Sequence, residues 1–179
     1  MFKHKNDIME IQTQEQWVLF RLEKFYSNPT NIQRVKCILE GQSNLSLRLI
    51  DWFVTNYAKK FNTSFMTKKQ RHMIVYLSYK SHLKAYSKKM FDPFCRSKRI
   101  KFQEFDTTVG QLNFFEWAIS DEILDYLEEH YDEVHKDMEM RLKEEHEEET
   151  VKQRKRHELS KSATNSLKHH LVNVRVNFD

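Results

Sequence analysis

Leu45-Ser46-Leu47-Arg48-Leu49-Ile50-Asp51-Trp52-Phe53-Val54-Thr55-Asn56-Tyr57-Ala58-Lys59-Lys60 carries apolar side chains at almost every helical angle. A helix that is apolar nearly all round is buried at the centre of its domain. The stretch therefore predicts a helical fold built around a third helix that opens near Ser43 or Ser46 and closes near Lys60. With only two Gly and two Pro in 179 residues, the chain lacks the turn residues that sheets and tight hairpins need. The expected class is mainly α, a compact multi-helix domain with a long charged C-terminal helix and tail. Residues 1–140 would form the globular part and 141–179 a charged extension. Its core is expected to use Trp17, Leu49, Ile50, Trp52, Phe53, Tyr57, Phe114, Phe115 and Trp117.

Toward the N-terminus, Thr13 and Gln16 have capping-box spacing, and Trp17, Val18, Leu22, Phe25 and Tyr26 follow at helical intervals. Asn28-Pro29 ends that helix. Thr30 with Gln33 repeats the spacing for a second one, marked by Ile32, Val35, Ile38 and Leu39 and closed by Gly41. Met1 to Glu10 lacks the apolar core of a signal peptide.

Toward the C-terminus, Phe61 to Thr67 reads as a polar connection and Lys68 to Met90 as a helix, broken at Asp92-Pro93. Ile100 to Phe105 alternates weakly, leaving room for a short strand. Thr107, Thr108 and Gly110 lead into a helix whose core face is Leu112, Phe114, Phe115 and Trp117. Ser120-Asp121-Glu122 signals the start of the next helix, with Ile123, Leu127, Tyr131, Val134 and Met138 on its buried stripe. Beyond Met138 the stripe thins. Lys152, Arg154, Lys155, Arg156 and Lys161 form a basic patch in a polar tail, and Val172 to Phe178 alternates like a strand that would need a partner.

Charge is strongly segregated. Lys68 to Lys101 holds eleven Lys and Arg against the single acid Asp92, while the rest of the chain carries 19 bases and 25 acids. Glu116 to Glu149 holds fifteen acids and three bases. Within the basic block, Tyr76, Tyr79, Leu83, Tyr86 and Met90 make one helical stripe, read as a core face, and Lys80, Lys84 and Lys88 run beside it. Amines on a common face next to flat rings suit a phosphate backbone with exposed bases. The candidate nucleic-acid contacts are Lys80, Lys84, Lys88, Lys89, Arg96, Lys98, Arg99 and Lys101.

Leu49 to Lys60, Tyr79-Lys80 with Lys88 to Cys95, Thr107 to Ala118 and Leu159 to Ala163 together resemble a group of uncharacterised proteins of nucleocytoplasmic large DNA viruses, mimivirus-like ones especially. The resemblance spans roughly Gly41 to Asp179. It brings no catalytic motif. It implies a host-cytoplasm (viral factory) or virion setting, with viral nucleic acid and viral proteins as partners.

Enzyme chemistry finds little support in the residues. Cys37 and Cys95 share no metal or redox spacing, and two cysteines fit a reducing, intracellular setting. Asp132 and His135 have the spacing of helical di-metal ligands. Such a site needs two acid-x-x-His pairs and further inward carboxylates, and this face is too polar. His130, His146, His169 and His170 read as solvated. Asp92 and Glu104 lack the clustered carboxylates of a metal-dependent nuclease, and Cys95 with His82 lacks a third orienting group. The sequence thus points to a non-enzymatic, cofactor-free protein that binds nucleic acid through its basic block. The alternative is a scaffold or virion protein whose basic block meets an acidic protein surface, its own acidic helix in a second copy included. No apolar run approaches the roughly 18 residues that span a bilayer.

Overall fold

The computed structural model describes residues 13–155. The readings of Met1–Glu10, of Arg156 and Lys161, of Leu159–Ala163, of His169-His170 and of the Val172–Phe178 strand lie outside those residues.

Local capping sets most helix starts. The Thr13 hydroxyl accepts the Gln16 amide (3.2 Å) while the Gln16 side chain accepts the Thr13 amide (3.1 Å), so the expected capping box opens α1 (Gln14–Tyr26). The second box does not form. Asn28 caps instead, accepting the Thr30 amide at 3.0 Å, because Pro29 is pre-set for the first helical position of α2 (Pro29–Leu39). Gly41 takes φ +72° just past the C-cap, the left-handed conformation that suits glycine there.

Ser46 caps α3 (Leu47–Trp52), which runs on through a π-helical turn (Phe53–Tyr57) into α4 (Ala58–Lys60). The Thr55 hydroxyl donates to the Asp51 carbonyl at 2.6 Å, a back-bond of the kind that loosens the α-ladder. Leu49, Ile50, Phe53, Val54 and Ala58 are buried; Trp52 and Tyr57 are half-buried. The predicted third helix is thus present with an unpredicted π turn.

The basic segment differs from expectation. Lys68 to Arg71 is a turn, not the start of a helix. It joins β1 (Ser64–Met66) to the antiparallel β2 (His72–Ile74). Thr67 locks this turn, its hydroxyl accepting the Arg71 amide (3.1 Å) and its amide donating to the Arg71 carbonyl (2.9 Å). Helix α5 (Val75–Met90) begins directly after β2 and breaks at Ser87, whose φ is 60° and ψ 168°. The expected short strand is one side of a hairpin, β3 (Arg99–Phe102) against β4 (Phe105–Thr108), turning at Gln103-Glu104.

The most enclosed element is α6 (Val109–Ser120), capped by Thr108 and buried at nine of its positions. It packs on α1 and α5, so the centre of the fold lies there rather than at α3. Helix α7 (Ile123–Glu129) follows a left-handed Glu122, not a Ser120 cap, and α8 (Tyr131–Lys155) starts after a break at His130. The described residues divide into two compact units, one ending at Glu139 and one beginning at Met140. In the first, Val134 and Met138 are buried. In the second, Arg141 pairs along the helix with Glu144 and Glu145, each at 3.3 Å.

Trp17 departs most from the predicted core. Val18, Leu22 and Tyr26, four residues apart, form the buried stripe of α1, and Trp17, 100° away, is 50% exposed. Leu49, Ile50, Phe53, Phe114, Phe115 and Trp117 are buried as expected.

Helices α5 and α6 meet backbone to backbone. The carbonyls of Met90, the last residue of α5, and of Pro93 beyond it have no helical partner, and side-chain amides of α6 take them up. Asn113 Nδ2 donates to Met90 O and Gln111 Nε2 to Pro93 O, both at 2.7 Å, from side chains only 1% and 2% exposed. Phe91 then enters a ring cluster with Tyr79, Phe114 and Trp117, centroids 5.3–6.0 Å from its own. Gly110 permits this approach: a Cβ there would lie 2.8 Å from the Lys89 carbonyl oxygen. In an unobstructed helix, Gly→Ala stabilises by about 1 kcal/mol. Here Gly110→Ala should instead cost about 1–3 kcal/mol, seen as a Tm lowered by roughly 2–4 °C per kcal/mol. A raised Tm would refute the close approach.

Candidate nucleic-acid interface

The stripe on α5 is core-turned, as read from the sequence: Tyr79 is buried and Tyr76, Leu83, Tyr86 and Met90 are half-buried. Lys80 and Lys84 stand exposed one turn apart. The expected row stops there, because the Ser87 break takes Lys88 and Lys89 out of the helical series.

That break creates a groove. A cavity of about 550 Å³ opens between the first turn of α1 and the segment from Tyr86 to Lys98. Lys89, Arg96 and Lys98 line it together with Tyr86, Ser97 and, from α1, Gln14 and Glu15. Three of the eight predicted contacts therefore converge. Arg99 and Lys101 lie exposed at alternate positions of β3, opposite Thr108 and Asp106 in the hairpin register. Lys80, Lys84, Lys88, Arg99 and Lys101 are outside the groove lining.

Arg96 is held before any ligand arrives. Its Nε and Nη2 donate to the two oxygens of Asp92 at 2.9 and 2.6 Å, and its guanidinium carbon lies 4.9 Å from the Phe94 ring centroid. The Asp92 side chain is only 8% exposed. Sequence reading treated Asp92 as a helix breaker; its buried role shows only once the chain turns back on itself. Gln14 and Glu15 were missed because no local signal links α1 to a loop some eighty positions later.

The remaining charges sort themselves. Lys68 pairs with Asp125 (3.1 Å), Arg71 with Asp121 (3.0 Å), and the Glu122 carboxylate accepts the Lys68 amide at 2.9 Å. Other acids of the Glu116–Glu149 block meet bases of the body: Glu116 meets Arg21 (3.2 Å), Glu128 meets Arg34 (3.0 Å), and Asp137 meets Lys60. Burial acts to raise the Asp125 carboxyl, but hydrogen bonds from Arg34 and Lys68 prevail and hold it below its ordinary value. Among the described residues, Lys80, Lys84, Lys88, Lys89, Lys98, Arg99 and Lys101 have no ion pair.

The other chemistries take definite positions. His82 stacks on Phe91 at 5.4 Å, with its ring nitrogen 2.9 Å from the Ser78 carbonyl, and Cys95 is half-buried. Glu104 is exposed at the hairpin turn. His135 lies 3.9 Å from Glu139, Asp132 is exposed, and no three potential ligands converge among the described residues.

Asp51 feels the same basic end of α5. Burial raises its carboxyl above the ordinary value of 3.8; Arg96 and Lys88 pull against this and Asp92 reinforces it. Folding thus favours the protonated form. That contribution is present below the unfolded value and is lost as pH rises through the folded one. Asp51→Asn cannot ionise, so thermal melts from pH 3 to 7 should show its stability gaining on the wild type as pH climbs. A constant difference would remove Asp51 as the cause. Separately, Arg96→Ala strands the Asp92 carboxylate and should cost about 1–3 kcal/mol, whereas Lys98→Ala should stay within about 0.5 kcal/mol. Equal melting temperatures would show that the Arg96–Asp92 pair is dispensable.

The profile of a family of unknown function (DUF7197) matches residues 2–178. "Uncharacterized protein L507" of Acanthamoeba polyphaga mimivirus is 36% identical over 166 residues, covering 84% of this chain. The chain spans 61% of the length of that relative. This agrees with the resemblance to uncharacterised proteins of large DNA viruses. No solved structure matches, and no helix among the described residues is long and apolar enough to cross a membrane.

Proposed function

The chain belongs to the family of unknown function DUF7197, and we propose that it is a non-enzymatic nucleic-acid-binding accessory protein working in a viral factory in the host cytoplasm or in the virion. The observation that carries this reading is the set of seven exposed Lys and Arg without ion pairs between Lys80 and Lys101, two of which, Lys89 and Lys98, line one groove together with Arg96. Cations left unneutralised at such density repel one another, and a polyanion relieves that repulsion while releasing its own counterions. A binding role is favoured over hydrolysis because both oxygens of Asp92, the acid nearest the groove cations in sequence, are already engaged by Arg96. Pairing of the basic block with the protein's own acidic helix draws less support. Asp121 and Asp125 are taken up within the chain by Arg71 and Lys68 at the start of the block, and Glu128 and Asp137 by Arg34 and Lys60, so these carboxylates are already engaged before a second copy arrives.

The test is affinity for single- and double-stranded DNA and RNA across a salt series. Replacing Lys84, Lys88 and Lys89 by Ala should weaken binding and leave the melting temperature close to wild type, since all three are exposed. Each lost phosphate contact removes about 0.9 from the slope of log affinity against log salt on duplex DNA, so the slope should flatten by roughly 2–3. No binding of the wild type to any of the four at low salt would overturn the proposal. Loss of self-association or of an acidic partner in the variant would then favour the scaffold role.

A further inference from the structure

Trp17 on α1 is half-exposed, and its ring sits on a cation that also reaches the groove. Trp17 is outside the groove lining, and two links connect it to residues that line it. It lies three residues after Gln14, which lines the groove, on the adjoining side of α1. Arg21 joins it to Tyr86, another lining residue: the guanidinium carbon is 5.6 Å from the Trp17 ring centroid and 5.6 Å from that of Tyr86. Arg21 is itself fixed, donating to the Tyr86 hydroxyl at 3.1 Å and pairing with Glu116 at 3.2 Å. The indole is therefore held against a rigid cation, yet remains 50% exposed, and Phe20, one turn along, is 55% exposed.

Resting on the nucleic-acid reading, we infer that Trp17 is a base-stacking platform and that the groove takes a single strand. The two walls differ in charge. Lys89, Arg96 and Lys98 lie on the loop side and Glu15 on the α1 side, while Trp17 reaches the groove edge through Arg21, which spans it to Tyr86. A strand entering with its phosphates along the cationic wall keeps them away from the Glu15 carboxylate and directs its bases toward the indole. Stacking needs a free base face, which a duplex hides within its own stack. The arrangement of a basic track beside an exposed ring recurs in proteins that hold single strands without reading sequence.

Binding of a labelled single strand of about 12 nucleotides, compared with the matching duplex, decides the matter. Trp17→Ala should lower single-strand affinity about 5- to 100-fold and leave the salt slope unchanged, because no charge is removed. Duplex affinity should hold within about twofold. Trp17→Phe should keep most of the single-strand affinity and Trp17→Leu should not. This pair separates stacking from packing even if the alanine variant fails to fold. Equal losses on both forms, no loss on either, or phenylalanine and leucine variants that behave alike would overturn the platform. If the Lys84/Lys88/Lys89 variant still weakens binding in those cases, nucleic-acid binding itself stands. A wild-type chain that binds neither form removes both proposals.

Discussion

The structure hinges on how closely α6 approaches the end of α5. Gly110 lets the two backbones touch, and the Asp92 amide donates to the Gly110 carbonyl at 3.2 Å. Gln111 and Asn113 then satisfy the Pro93 and Met90 carbonyls, which the end of α5 would otherwise leave unpaired. From this junction follow the seating of Phe91 in the ring cluster, the burial of Asp92, and the aim of Arg96 toward the groove. The sharp change of direction that spoils a regular row of lysines on α5 also gathers Lys89, Arg96 and Lys98 on one wall.

Electrostatics divides the basic block at about Ile74. Before it, Lys68 and Arg71 of the first hairpin are tied to Asp121 and Asp125, and the Lys68 amide is tied to Glu122. After it, only Arg96 has an internal ion-pair partner among the described residues. The acidic stretch therefore fastens the hairpin to α7 and leaves the later cations facing solvent. One sequence-level feature, a run of bases followed by a run of acids, serves two purposes: adhesion near its start and an open positive surface near its end.

Much of this fold was legible because its signals are local. A threonine with glutamine three residues on specified the start of α1, and the near-continuous apolar run from Leu45 identified a buried helix. Errors arose where tertiary context chose between equal local options. Trp17 and Val18 are both apolar neighbours, and only the position of α6 selects Val18 for the core. Lys68 to Arg71 carries no Gly or Pro to announce a turn, so the hairpin rests on Thr67 hydrogen bonds that composition does not reveal. Ser87 holds a positive φ that serine seldom adopts, and no local residue signal announces it. The groove drew its walls from α1 and from the loop after α5, which no periodicity connects. The eight candidate cations could be named from clustering alone, but which of them converge depended on that break.

The partnership of α1 with α6 also shapes how the chain comes into being. The Tyr26 hydroxyl donates a hydrogen bond to the Leu112 carbonyl at 2.8 Å, 86 positions along the chain. During synthesis at about 5–20 residues per second, α1 therefore leaves the ribosome roughly 4–17 s before the helix that covers it. Until α6 emerges, Val18, Leu22 and Tyr26 lack the main cover of their apolar stripe and have only the neighbouring α2 to pack against. A long wait of this kind leaves apolar surface open to non-native association before the native partner exists.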